Sequence, residues 1–108
     1  MILNKTTNDK FDIKITNADT FFKRFIGLMG KKDFDFAMLF TNIRHSSIHT
    51  HFMRFEIDVY FLGENNVVID KITLKPWKFY NSKKPAKNIL ETKKGKLKIK
   101  IGDCLEFI

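Results

Sequence analysis

The chain has 108 residues, 44% hydrophobic and 30% charged, with 20 Lys and Arg against 12 Asp and Glu for a net charge of +8. This length fits one domain over residues 1–108, its 12 Phe exclude a disordered chain, and no apolar run approaches the roughly 20 residues of a membrane-spanning helix. Met1 to Lys5 carries no signal-peptide pattern and Cys104 has no second cysteine to pair with, so a cytoplasmic protein without membrane contact is the expectation.

Phe11, Ile13 and Ile15 alternate with Asp12 and Lys14, which predicts a half-buried strand. A short helix is predicted near residues 19–26. Asp19 or Thr20 caps it, Phe21, Phe22 and Phe25 lie on one side, and Gly27 ends it. Beyond the turn at Gly27 to Gly30, Phe36, Met38 and Phe40 alternate into a second strand. An extended stretch from Ser47 to Leu62 then sets Phe55, Ile57, Val59 and Phe61 on one face and Glu56, Asp58 and Tyr60 on the other. His49, His51 and Met53 share the parity of Phe55. An unbroken strand sends both imidazoles to the apolar face, and a bulge near Arg54 changes that facing.

Gly63 to Asn66 reads as a hairpin loop and Val67 to Leu74 as the returning strand, ended at Lys75-Pro76 because proline cannot donate to a ladder. Residues 77–85 read as a loop with aromatic content. Asn88 to Thr92 is extended, Lys94-Gly95 turns, and Leu97, Ile99 and Ile101 alternate with Lys96, Lys98 and Lys100. Gly102-Asp103 turns again into a last strand, Leu105 to Ile108. These elements predict a mainly β fold, a compact antiparallel β-sandwich or barrel-like domain of about seven or eight short strands with one helix.

The charge is concentrated. Residues 1–70 hold nine basic and nine acidic side chains, whereas residues 71–100 hold eleven Lys and a single acid, Glu91. Lys outnumbers Arg 17 to 3, so this segment reads first as a solvated face, since phosphate and base readers lean on the planar Arg fork. The alternative is a base-stacking nucleic-acid loop, with Trp77, Phe79 and Tyr80 among Lys75, Lys78, Lys83 and Lys84. The preferred expectation has Trp77 against the core rim.

Several fragments, in order, resemble one family. Arg24 to Gly30 (R-F-I-G-L-M-G) looks like its "R-x-x-G-L-M" segment, and Met38-Leu39-Phe40 like the apolar strand that follows. Ile48-His49-Thr50, Met53-Arg54-Phe55, Ile57-Asp58-Val59 and Phe61-Leu62 look like its "H-T-x-x-M-x-F-P-I-D-V-x-F-L" core. Lys75-Pro76-Trp77, Leu90-Glu91, Gly95 and Gly102-Asp103 resemble its C-terminal third. The chain thus resembles domain-of-unknown-function family 192 (DUF192, of the UPF0127 type). The resemblance implies a mainly antiparallel β domain with a short early helix, and no established activity. Its polar signature falls on Arg24, His49, Thr50, Arg54 and Asp58, with Met53 and Trp77 beside them. Glu56 stands where the family usually has proline, and His51 where an aromatic or apolar residue is usual.

Two chemistries compete for these residues. His49 and His51 form an H-x-H pair whose imidazoles point the same way on a strand and can share a metal, with His45, Glu56 or Asp58 as a third ligand. The plainer reading makes His49 a structural histidine, satisfied by Thr50 or a backbone carbonyl. Arg24, His49, Arg54 and Asp58 can instead line a small polar pocket, Arg54 gripping an anion bidentately and Asp58 orienting Arg54 or His49. An Arg54–Asp58 pair can equally be scaffold. Cys104 has no imidazole near it in sequence and reads as a small core residue on an edge strand. The expected function is a non-enzymatic binding or accessory domain for a small anionic ligand, without cofactor. A metal-dependent enzyme using His49 and His51 and a Lys-rich nucleic-acid binder are the alternatives.

Overall fold

Alternation along the chain is expressed as strands stacked in layers. The computed structural model describes residues 1–17, 35–41, the main chain of 47–49, and 55–108. Within these residues run β1 (Ile2–Asn4), β2 (Asp9–Phe11), β3 (Ile15–Asn17), β4 (Ala37–Phe40), β5 (Ser47–His49) and β6 (Ile57–Leu62). A 3-10 turn (Glu64–Asn66) leads to β7 (Val68–Leu74), β8 (Phe79–Asn81), β9 (Asn88–Lys93) and β10 (Leu105–Phe107). The predicted helix near residues 19–26 lies outside the described residues.

Three sheets result: β10-β1-β2, β3-β4-β9-β6-β7, and the ribbon β5-β8. The five-stranded sheet is covered on both faces. Phe55, Ile57, Val59 and Phe61 form one apolar cluster with Met38, Phe40 and Ile89. Tyr60, Leu62, Ala37, Leu39 and Leu90 point the other way, into a second cluster closed by Ile2 and Leu105 of the three-stranded sheet and by Leu97 and Ile99. The faces of β6 therefore follow the period-two reading, and double coverage explains why β4 and most of β6 and β9 are buried without interruption.

Several elements differ from the sequence reading. The predicted strand over Phe11 to Ile15 divides at residues 12–14, and its halves, β2 and β3, join different sheets. The pair β3–β4 is parallel, with Ile15 opposite Ala37, so the sheet is not wholly antiparallel. The loop over 77–85 contains β8, paired antiparallel with β5. Residues 97–101 make no ladder: Leu97 and Ile99 are buried, but Ile101 is 58% exposed in the turn before Gly102. Cys104 is half-buried, bridges Val67 and donates its thiol to the Asn65 carbonyl. Gly63 to Asn66 turns as expected, and the β6–β7 register shifts between Phe61 and Leu62.

Candidate functional site

Asp58 lies on the middle strand of three. Register sets it beside Thr73 of β7 on one side and Thr92 of β9 on the other. The next pair on that face puts Tyr60 beside Lys71 and Leu90. After β9 the chain turns at Lys94-Gly95 and passes over β6 and β7. Gly95 adopts φ +84, a left-handed conformation that glycine reaches at no steric cost. This turn aims its N–H at Asp58 Oδ2, 2.9 Å away, while the Thr73 hydroxyl donates to Oδ1. Two further bonds hold the crossing segment: the Tyr60 hydroxyl donates to the Leu97 carbonyl, and Lys71 Nζ donates to the Ile99 carbonyl at 2.9 Å.

Between sheet and segment lies a cleft of about 260 Å³, whose walls include Asp58, Tyr60, Lys71, Thr73 and Leu97. It presents one carboxylate, one ammonium, two hydroxyls and apolar wall. Burial, then the charge of Asp58, pushes the Tyr60 phenol well above its usual value, so it stays a neutral donor. At the edge of the crossing segment Lys94 bonds Glu56 Oε2 at 2.9 Å, and this bond holds the Glu56 carboxyl below its usual value.

A second polar cluster ties the ribbon to the sheet. Asp70, buried on β7, accepts from the Tyr80 hydroxyl at 2.6 Å, from Lys83 N–H at 3.1 Å and from Lys71 N–H at 2.9 Å. Burial alone would raise its pKa, but these bonds outweigh burial and hold it below the usual carboxylate value. The Tyr80 ring lies 5.7 Å from that of Phe61, which seats the ribbon on the first apolar cluster.

Glu91 is a third feature. It lies opposite Met38 on β4 and Val59 on β6, hence on the face of the first apolar cluster. It is 4% exposed, and its Oε1 has no hydrogen-bond partner among the described residues. Burial pushes its carboxyl up to about 8.

Of the residues singled out in the sequence, Asp58 and Trp77 are described in full. Asp58 is half-buried and bonded to Thr73 and Gly95 rather than sealed in the core. Trp77 follows β7 at φ +63 and is 56% exposed, so a large part of its ring faces solvent. His49 ends β5 opposite Phe79. Its side chain, together with Arg24, Thr50, His51, Met53 and Arg54, lies outside the described residues. Among the described residues no three His, Cys, Asp or Glu side chains are grouped to hold one metal ion, and no helix is long and apolar enough to cross a membrane. Sequence reasoning did not single out Lys71, Thr73, Tyr60 or the buried Glu91. Glu91 carried a signal, as the lone acid within the Lys-rich third and inside a strand.

Comparison with known proteins agrees with this architecture. Residues 2–107 match the model of DUF192, described as "Uncharacterized ACR, COG1430". A UPF0127 protein of Pyrococcus furiosus is 42% identical over 114 residues, covering 98% of this chain and 97% of its own. One from Thermococcus sibiricus is 39% identical over 115 residues, covering 99% and 74%. Two crystal structures share the fold. A protein of unknown function from Novosphingobium aromaticivorans has a TM-score of 0.75 at 18% identity, over 98% of this chain and 81% of that one. A candidate transcription regulator of Sinorhizobium meliloti has a TM-score of 0.79 at 22% identity, over 97% and 88%.

Proposed function

Because this chain belongs to the DUF192 family, whose description assigns no activity, we propose a function from the site itself: a non-enzymatic domain that binds a small anionic ligand. The observation that carries it is the meeting of Lys71 and Asp58 in one cleft of about 260 Å³. An ammonium has three donors. Lys71, which lines the cleft, gives one to the Ile99 carbonyl, and two more donors serve a ligand. A carboxylate or phosphate group engages that ammonium. Asp58 accepts from a hydroxyl or ammonium on the same ligand, and Tyr60 and Leu97 flank its apolar part. The volume suits a molecule smaller than the usual drug-sized pocket occupant, whose sites begin at about 300 Å³. The net charge of +8 draws anions toward the surface.

Isothermal titration with phosphate, small hydroxy acids and amino acids tests it. The expected result is saturable binding to one class, lost in Lys71→Met and weakened in Asp58→Asn, with Lys98→Met as an exposed control. A folded protein that binds nothing across the panel refutes the reading.

A further inference from the structure

Among the described residues, the face of β8 that points away from the sheet combines exposed rings with lysines. Trp77 and Phe79 are 56% and 60% exposed, two of the largest apolar side chains left in solvent. Lys75, Lys78, Lys83 and Lys84 surround them in sequence, all exposed, and no acidic residue occurs between Lys71 and Leu90. We propose that this arm, Trp77 and Phe79 set among four lysines, is a binding surface for single-stranded nucleic acid.

The geometry gives the arm a fixed presentation. Strand alternation sends neighbouring side chains to opposite sides. Tyr80 points inward, its hydroxyl on Asp70 at 2.6 Å and its ring against Phe61, so Phe79 and Asn81 point outward. Lys83 N–H on the same Asp70 oxygen and the Ser82 hydroxyl on the Lys84 carbonyl hold the following turn. Trp77 sits at φ +63, a conformation rare for a bulky side chain, immediately after Pro76 has fixed its own φ. Every nucleic-acid base offers a π-face to stack on an aromatic ring, and a lysine fringe follows the phosphates without reading sequence. Lysine in place of arginine, which argues against sequence-specific readout, fits a surface of this kind. Membrane docking fits less well. Charged or polar residues interrupt the rings at Lys78 and Asn81, so no continuous apolar face forms. This surface is separate from the Lys71–Asp58 cleft, which lies on the opposite face of the five-stranded sheet.

Trp77 is the chain's only tryptophan, so its emission reports contact directly. The full chain is titrated with labelled oligothymidylate by fluorescence anisotropy, and with unlabelled oligomer by Trp77 emission. The expected result is quenching on binding, log K linear in log salt, and an affinity drop of about tenfold in Phe79→Ala and in Trp77→Asn. Asparagine tolerates positive φ, so the latter variant keeps the turn. Lys83→Gln with Lys84→Gln is expected to lower the salt slope while leaving the quench at saturation. The proposal is overturned by absence of binding at low salt, by unchanged affinity in folded aromatic variants, or by equal binding to heparin without quenching. Emission that shifts with phosphatidylserine vesicles but not with oligothymidylate overturns it in favour of a membrane.

Discussion

Glu91→Gln is the most informative single change, because it removes a charge and almost no volume. A carboxyl raised from its ordinary 4.5 to about 8 by burial is protonated in the native state at pH 7 and ionised in the unfolded chain. Between those two values the unfolded chain holds fewer protons than the native one, so stability falls as pH rises. Each unit costs about 1.4 kcal/mol. From 4.5 to pH 7 the wild-type fold therefore loses about 3 kcal/mol, and the loss levels off at about 5 kcal/mol above pH 8. Glutamine does not titrate. Urea denaturation of both proteins from pH 4.5 to 9 should show Glu91→Gln within about 1 kcal/mol of wild type near pH 5 and more stable by about 3 kcal/mol at pH 7. Taking the difference between variant and wild type cancels every other titrating group. A difference that stays flat across pH, or a variant less stable than wild type at pH 8, would mean that the carboxylate is ionised and partnered, and the reasoning from burial would fail.

Tyr80→Phe keeps the ring on Phe61 and removes one donor to the Asp70 carboxylate. A hydrogen bond to a charged group is worth about 1.5–3 kcal/mol, so thermal denaturation should show a loss of that order, and hydrogen exchange should rise first across β8. Asp103 is 7% exposed and accepts from Lys100 N–H and from Asn4 Nδ2, which hold its carboxyl below 3.8. Because that value is depressed in the fold, its contribution is present above pH 3.8 and is lost as pH falls through the folded value. Asp103→Asn should cost about 1.5–3 kcal/mol at pH 7 and progressively less below pH 3.8, read from urea midpoints. At Gly95 an added Cβ would meet nothing within 4 Å, so Gly95→Ala tests conformation alone. At φ +84 the expected cost is about 1 kcal/mol by thermal melting, and no loss at all would contradict the assigned turn.

What could be read from the chain was local and periodic. Parity alone separated Phe55, Ile57, Val59 and Phe61 from Tyr60, and both groups occupy the faces it assigned. Pro76 marked the end of β7 because its missing N–H cannot serve a ladder. The failures are non-local. Leu97 and Ile99 alternate like a strand, yet their carbonyls are taken by the Tyr60 hydroxyl and the Lys71 ammonium, so the pattern records burial rather than pairing. β8 exists because Asp70 and Phe61, distant in sequence, seat Tyr80. Lys71 enters the candidate site only through the register that sets it beside Tyr60. The burial of Glu91 depends on the sheet being covered on both faces, which no local pattern states.

The pairing of β1 with β10 also has a consequence for folding. β1 is the middle strand of its sheet and needs β10, with Ile2 opposite Phe107 and Met1 bonded to Ile108 across 107 positions. Pairings this distant in sequence form late and slow folding. A nascent chain on the ribosome can build the hairpin of β6 and β7 early, but it cannot close the three-stranded layer until residues 105–107 have emerged. In that interval the inner face of Leu39, Leu62 and Leu90 stands uncovered. An apolar face left open in this way is the surface through which a partly folded chain aggregates.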